Sequence, residues 1–261
     1  MKYQDLSKTK SALYARLGNA KVRRKEGLFL AAGAKCVADT REAFVAEAVV
    51  GTPEWLDASS ALFGYGAGLW NPEIARVASP SEISRISGMN SSPEVFAVYR
   101  IPEESADDPI VPEGELALML DGVQDPGNFG SILRTADWFG ITRVFASRQS
   151  ADLYNPKVIQ ATMGAVSRVK VIYADLPEIV SANPGLPVYG TLLDGTDLYK
   201  TDLKSNALIV MGNEGRGLTP QMRRLVTHPV LIPPYNPVSH GESLNVAAAT
   251  AITLAAFRYK A

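Results

Sequence analysis

Cysteine, histidine and long apolar runs are scarce in this sequence of 261 residues. With one cysteine, Cys36, and two histidines, the chain cannot form an internal disulfide framework or a cysteine-rich zinc site. We therefore expect no metal ion. No histidine lies near Cys36 in the sequence, so we interpret it as a small buried side chain rather than a nucleophile.

Membrane and export signals are also missing. No apolar stretch reaches the ~18 to 20 residues that a membrane span needs. The longest candidate, 247–257, contains two threonines and is followed by Arg258. The first residues, Met-Lys-Tyr-Gln-Asp, lack the apolar core of a signal peptide. These absences predict a cytoplasmic protein without a membrane partner.

Charge is nearly balanced over the chain, with 26 Lys and Arg against 27 Asp and Glu, but it is unevenly distributed. Residues 1–26 contain the acids Asp5 and Glu26 and the bases Lys2, Lys8, Lys10, Arg16, Lys21, Arg23, Arg24 and Lys25. Such a cluster can follow a phosphate backbone through Coulomb attraction and counterion release. A solvated helix face would have the same composition, which alone does not separate the two interpretations.

The segment 101–114 divides the chain. It contains three prolines, five acids and no base, a composition that predicts an exposed linker. On either side we predict a domain at 1–100 and another at 115–261. Alternating apolar and helical patterns before the linker indicate a small α/β domain.

The pattern after the linker predicts an α/β domain built on a parallel sheet. The apolar runs are continuous rather than alternating, as in parallel strands covered on both faces. Predicted strands lie at 116–120, 143–146, 168–173, 188–192, 207–211 and 230–232. Predicted helices lie at 129–139, 155–163 and 243–259. Such sheets bind ligands at the loops that follow the carboxyl ends of their strands.

Three of those loops are unusual. The first, 121–136, has glycines that permit close backbone approach, a helix start that favours anions, and Arg134 as a candidate phosphate clamp. The second, 210–217, is a glycine-rich candidate backbone cradle. The third, 231–249, is rich in proline before Ser243-Leu-Asn245 opens the last helix. Taken singly, the first is equally well explained as a glycine-rich turn with a surface arginine. A tight turn is the simpler explanation of the second, and a helix cap is the commoner role of the serine in the third.

Taken together, the loops resemble the three signature motifs of the SpoU (TrmH) family of RNA 2′-O-ribose methyltransferases. The matching segments are Asn128-x-Gly130-x-x-x-Arg134, Gly212-Asn-Glu214-Gly-x-Gly217, and Ile232-Pro233 with Ser243-Leu-Asn245. They occur in order, each after a predicted strand. The segment 155–165 also resembles the family, and 23–30 is similar to its RNA-binding extension.

The resemblance implies a trefoil knot, S-adenosylmethionine as cofactor and RNA as substrate. Its implied cofactor contacts are Thr191, Leu192, Gly212, Asn213, Gly217, Ile232, Pro233 and Leu244. Its implied catalytic positions are Arg134, Asn128, Glu214, Ser243 and Asn245. Its implied RNA contacts are Lys21, Arg23, Arg24 and Lys25. Departures from the family pattern are a longer loop with Pro237 and His240, Ala247 after Asn245-Val, and Gln160 in place of a base.

The predicted reaction is methyl transfer from S-adenosylmethionine to a ribose 2′-hydroxyl, without a metal. Because guanidinium stays protonated, we expect Arg134 to hold a phosphate and stabilise the developing alkoxide, while Ser243 and Asn245 orient the hydroxyl. Whether Arg134 also acts as a base is left open by the sequence. A separate N-terminal domain favours ribosomal RNA over transfer RNA, and the apolar last helix favours a homodimer.

Three other functions were compared with this reaction. A non-catalytic RNA-binding protein of the same fold would not need all three motifs. A knotted methyltransferase acting on a base would not be expected to carry Arg134 with Ser243-Leu-Asn245. A Rossmann-type nucleotide enzyme would need a GxGxxG motif with an acid ~20 residues later, which follows none of the strands.

Overall fold

The computed structural model describes residues 3–65, 69–89, 92–103, 109–236 and 243–260. Eleven strands are present among these residues: β1 Gln4–Asp5, β2 Leu28–Ala32, β3 Ala46–Gly51, β4 Ala75–Val77, β5 Val95–Arg100, β6 Leu116–Asp121, β7 Arg143–Ala146, β8 Lys170–Tyr173, β9 Val188–Asp197, β10 Ala207–Gly212 and β11 His228–Leu231. The described α-helices are α1 Lys8–Tyr14, α2 Ala20–Glu26, α3 Ala34–Thr40, α4 Pro53–Ala58, α5 Pro80–Ser87, α6 Pro126–Trp138, α7 Pro156–Thr162, α8 Leu176–Ala182, α9 Pro220–Leu225 and α10 Val246–Lys260.

The chain folds into two compact units. The first comprises Met1–Glu103 and Asp152–Ser167, and the second comprises Glu104–Ala151 and Arg168–Ala261. The first division falls inside the acidic segment that was predicted to be a linker. The assignment of Asp152–Ser167 to the first unit differs from the predicted domains, which placed this segment with the C-terminal residues.

The first unit is built on a mixed five-stranded sheet in the order β1-β4-β3-β5-β2. Strand β5 lies between β3 and β2 and pairs antiparallel with both. Its apolar side chains are buried on both faces, which explains its unbroken Val-Phe-Ala-Val-Tyr run. The expected small α/β domain is therefore present. Ser60–Leu62 form a 3-10 helix.

The segment Asp152–Ser167 joins the first unit through aromatic, ionic and close backbone contacts. The ring of Tyr154 packs 4.7 Å from that of Phe29 on β2. Asp152 accepts a hydrogen bond of 2.7 Å from Arg23. Gly164, with a φ of +89°, passes so close to Asp39 that a Cβ would lie 2.4 Å from the Cβ of that residue. These contacts between distant parts of the chain are not visible in local sequence periodicity.

Arg23 is a structural residue of the first unit. Its side chain is only 1% exposed, and it donates to the carbonyls of Leu17 and Gly18 at 2.8 and 2.9 Å besides its ion pair with Asp152. Its Nε is buried without a hydrogen-bond partner among the described residues. The prediction that Arg23 contacts RNA is wrong for this conformation, because the guanidinium is already used inside the unit.

The second unit has a six-stranded sheet in the order β11-β9-β10-β6-β7-β8, and every neighbouring pair is parallel. This confirms the predicted α/β class with a parallel sheet. Helices α6 and α10 pack together in this unit, as do α8 and α9. The trefoil knot implied by the family stays a prediction, since 237–242 lie outside the described residues.

The end of the predicted linker is part of the second unit. Residues 104–108 lie outside the described residues, but Val111 is buried in the core of the unit. The side chain of Asn183 accepts from the Val111 N–H and donates to the Pro109 carbonyl, both at 2.8 Å. An exposed linker was therefore the wrong expectation for Val111, because the acidic composition of the segment concealed one apolar anchor.

Cys36 is buried, as predicted, and its burial raises the pKa of the thiol to about 11. A thiol with that pKa stays protonated at neutral pH and is a poor nucleophile. Among the described helices, none is long and apolar enough to cross a membrane.

Candidate functional site

A cavity of about 680 Å³ lies in the second unit, between the middle of β9, the ends of β10 and β11 and the segments that follow β10 and β11. Its volume is within the range of small-molecule sites, ~300 to 1,000 Å³. The predicted site residues that line it are Thr191, Leu192, Gly212, Asn213, Glu214, Gly217, Ile232, Ser243 and Leu244. The predicted residues absent from its lining are Asn128, Arg134, Pro233 and Asn245.

The loops are held together by a hydrogen-bond network that joins all three motifs. The Asn245 amide donates to Asn128 Oδ1 at 2.9 Å, and the Asn128 amide donates to Glu214 Oε1 at 3.1 Å. The other Glu214 oxygen accepts from the Asn213 amide at 3.3 Å. Asn128 and Asn245 are 117 residues apart in the sequence. The motifs are therefore one polar assembly in space, with the cavity beside it.

Glu214 is fully engaged in positioning this assembly. Besides the two amide groups, it accepts from the Asp125 backbone N–H at 3.3 Å. This arrangement supports Glu214 as the residue that fixes the first loop against the second.

The start of the last helix differs from the prediction. Helix α10 begins at Val246 rather than at residue 243, and the side chain of Asn245 caps it by accepting from the N–H groups of Ala247 and Ala248 at 2.9 and 3.2 Å. Ser243 and Leu244 precede the helix as exposed residues on the cavity wall. Asn245, rather than Ser243, therefore has the capping role.

Gly212 is required by the backbone of the second loop. A Cβ at this position would lie 2.4 Å from the Gly217 carbonyl carbon and 2.6 Å from the Leu218 nitrogen. The loop is tight because Asn213 and Gly217 exchange two backbone hydrogen bonds of 2.9 Å. A larger residue at 212 would disrupt this turn, so its effect on ligand binding would not be separable from its effect on folding.

Arg134 lies in the third turn of α6 and is exposed. No hydrogen bond or ion pair engages its guanidinium within the described part of the chain. Its positive charge is therefore accessible to a ligand that approaches from solvent. Arg134 is not among the residues that line the cavity.

Sequence reasoning missed several residues of the cavity wall. Strand β9 continues to Asp197, five residues beyond its predicted end, and this extension brings Leu193 and Asp194 to the cavity. Arg223 on α9 also lines the cavity and forms an ion pair with Asp194. The further missed residues are Met211, Gly215, Arg216, Leu218, Val230, Leu231, Val246 and Ala249. The end of β9 was not predicted because residues 194–197 are polar or glycine and lack the apolar pattern of a buried strand.

A fully parallel α/β sheet with a ligand-sized cavity at its carboxyl edge defines a class of cofactor-binding α/β proteins. The sequence profile of the SpoU rRNA Methylase family matches residues 115–255, and the chain belongs to that family. This membership confirms the predicted enzyme class, an RNA 2′-O-ribose methyltransferase that uses S-adenosylmethionine.

Individual relatives agree with the family match. The 23S rRNA (guanosine(2553)-2′-O)-methyltransferase RlmP of Bacillus subtilis is 31% identical over 177 residues, which cover 67% of this chain and 68% of that protein. A Porphyromonas gingivalis structure assigned to the TrmH family is 37% identical with a TM-score of 0.82, covering 98% of this chain and 99% of that one. An AdoMet-bound rRNA methyltransferase from Sinorhizobium meliloti is 26% identical with a TM-score of 0.81, covering 99% and 98%.

Proposed function

We propose that this protein methylates a ribose 2′-hydroxyl of ribosomal RNA in the cytoplasm. The observation that carries the proposal is the Asn245–Asn128–Glu214 network, which assembles the three family motifs beside one cavity. The relatives named as 23S rRNA methyltransferases support ribosomal RNA as the substrate.

The cavity fits S-adenosylmethionine in its chemistry. Its wall combines apolar side chains, including Leu192, Ile232 and Leu244, with the polar backbone of the Gly212–Gly217 turn. Apolar walls suit the purine and thioether parts, and exposed backbone groups suit the polar edges of the nucleoside. When bound, the cofactor supplies an electrophilic methyl group on a sulfonium.

The protein must then align and activate the hydroxyl. We assign to the unpartnered Arg134 the binding of a neighbouring RNA phosphate and the stabilisation of the developing alkoxide. Ser243, exposed on the cavity wall, orients the 2′-hydroxyl. Asn245 acts as a positioning residue because its side-chain oxygen Oδ1 already caps α10. The hydroxyl proton leaves to phosphate or water as the new C–O bond forms and the C–S bond breaks.

Two further assignments concern partners. We assign RNA backbone contacts to Lys21, Arg24 and Lys25, the exposed bases of α2, without the buried Arg23. We also assign a homodimer through the second unit. Much of α10 is buried within the unit itself, so the support for a dimer comes instead from exposed Trp138 and Tyr259 at the ends of the packed helices α6 and α10.

The function is tested by filling the cavity. Ala249 lies on its wall, whereas its neighbour Ala248 is exposed and outside the wall. Both are helical, so Ala249→Leu and Ala248→Leu differ mainly in whether the added atoms enter the cavity. We expect calorimetry to show at least a tenfold loss of S-adenosylhomocysteine affinity in Ala249→Leu and wild-type affinity in Ala248→Leu.

Ala249→Leu should likewise lower methyl transfer to an unmodified 23S ribosomal RNA transcript, and Ala248→Leu should leave it at the wild-type rate. Wild-type cofactor affinity in a folded Ala249→Leu protein would show that the cofactor binds elsewhere. Transfer by the wild-type protein to transfer RNA but not to ribosomal RNA would contradict the proposed substrate.

A further inference from the structure

Two arginines occupy the tips of tight turns on the carboxyl edge of the parallel sheet. Arg148 follows β7, in the turn closed by the Ser150 N–H and the Ser147 carbonyl at 2.9 Å. Arg216 follows β10, near the tip of the turn closed by Asn213 and Gly217. Both side chains are exposed.

The two turns are hydrogen-bonded to the two backbone groups of one residue, Gly122. The Gly122 N–H donates to Ser147 Oγ at 2.9 Å, while the Gly122 carbonyl accepts from the Asn213 amide at 2.7 Å. Gly122 follows β6, which lies between β7 and β10 in the sheet. Two strand spacings, ~10 Å, therefore separate the strands that carry the arginines, with the first motif loop between them.

Both turns are held rigidly. Ser150 Oγ donates to the Leu120 carbonyl at 3.1 Å, and Asn213 Oδ1 accepts from the N–H groups of Gly215 and Arg216 at 3.0 and 3.1 Å. Presentation of a charge by an ordered turn reduces the entropy that is lost when it binds a ligand.

The arginines of the second unit differ in whether they have protein partners. Those that bind a carboxylate or a carbonyl are Arg143, Arg168, Arg223 and Arg258. Those without a partner in the described ranges are Arg134, Arg148, Arg216 and Arg224. The nearby acids are engaged elsewhere: Asp121 accepts from the Thr219 N–H at 2.6 Å, and Asp125 from the Asn128 N–H at 2.7 Å.

We infer that Arg148 and Arg216 bind RNA backbone phosphates on either side of the nucleotide that is methylated. The inference rests on the proposed function and adds a phosphate-binding pair: Arg148 lies outside the three motifs, and Arg216 occupies the variable position of the second. A guanidinium presents a planar fork that matches phosphate oxygens, and it keeps its charge at every relevant pH. The pair would place the RNA across the first motif loop.

The experiment measures binding of the full-length protein to an unmodified 23S ribosomal RNA transcript between 50 and 200 mM salt. We expect Arg148→Gln and Arg216→Gln each to weaken binding severalfold and to reduce the salt slope by about 0.7 to 0.9, the value for one lost phosphate contact. Arg224→Gln is the matched control, because Arg224 is equally exposed but lies on α9, outside the cavity wall and the two turns. Its slope should equal that of the wild type.

Calorimetry with S-adenosylhomocysteine accompanies each variant and should give wild-type affinity for Arg148→Gln, because Arg148 lies outside the cavity wall. If Arg216→Gln lost cofactor affinity but kept its RNA salt slope, Arg216 would be a cofactor ligand and the inference would be overturned. Unchanged slopes in both variants, with normal RNA binding by the wild type, would overturn it as well. Failure of the wild-type protein to bind or methylate RNA would instead contradict the proposed function.

Discussion

Arg134 and Arg23 show how one residue type serves opposite purposes in this molecule. Arg23 is enclosed, with two backbone carbonyls and Asp152 as partners. Arg134 is exposed and has no protein partner among the described residues. A buried guanidinium is costly unless its hydrogen bonds are satisfied, whereas an exposed one is free to meet an anion. Of the two, only Arg134 has a guanidinium free for the role that we propose for it.

We predict that Arg134→Ala loses at least 99% of methyl transfer while its affinity for S-adenosylhomocysteine is unchanged, because Arg134 does not line the cavity. Arg134→Lys should fail similarly, since a point charge lacks the bidentate fork. Transfer rates and calorimetry on the same preparations check this. Turnover by the Lys variant close to the wild-type rate would contradict the proposed role.

The site could be predicted in part from the sequence. Glycines and polar residues at strand ends identified the loops, and their order suggested one assembly. The capping role of Asn245 and the ion pair of Asp194 with Arg223 were not predictable, because both depend on long-range placement that single-sequence patterns do not encode. The assignment of Arg23 to RNA failed because exposure was inferred from charge.

At the scale of the element, the short helix α2 has one buried base that stabilises the unit and three exposed bases. Asn19 caps its start, and Gly27, with a φ of +64°, ends it. Lys21, Arg24 and Lys25 are exposed, while Arg23 faces inward. The basic run of α2 therefore contains one buried base and three exposed ones.

We predict opposite outcomes for two sets of substitutions on α2. Replacement of Lys21, Arg24 and Lys25 by Gln should lower the salt slope of RNA binding by up to about 2 to 3, with little change in the free energy of unfolding. Arg23→Met should instead lower the free energy of unfolding by about 3 kcal/mol, because it leaves Asp152 and two carbonyls without their donor. Urea denaturation and filter binding measure the two effects. A stable Arg23→Met protein with impaired RNA binding would reverse the assignment.

The elements themselves were predicted best where apolar runs are continuous. Strands β6 and β10 lie close to their predicted positions because every residue in them is apolar until the last. Strand β9 was predicted too short because its second half is polar and partly exposed. The affiliation of α7 with the first unit depends on contacts such as Tyr154 with Phe29, which have no local signature.

At the scale of the whole molecule, we predict a dimer of twice the chain mass of 28.0 kDa by light scattering. Trp138 and Tyr259 are 85% and 91% exposed, and large aromatic side chains are enriched at protein interfaces. The double variant Trp138→Glu and Tyr259→Glu should give the monomer mass. Tyr65→Ser, which removes a ring that is 83% exposed in the first unit, is the control and should remain dimeric. A wild-type protein that is monomeric at micromolar concentration would refute the dimer.

The division of the chain has a consequence for its inheritance. The polypeptide passes from one unit to the other at 103/104, 151/152 and 167/168. A recombination event in the acidic segment would therefore deliver residues 1–103 without the segment that supplies Tyr154 to Phe29 and Asp152 to Arg23. Residues 1–103 alone therefore do not make up the complete first unit. A different first unit could be acquired intact only together with a matching replacement of residues 152–167, which lie between two parts of the second unit.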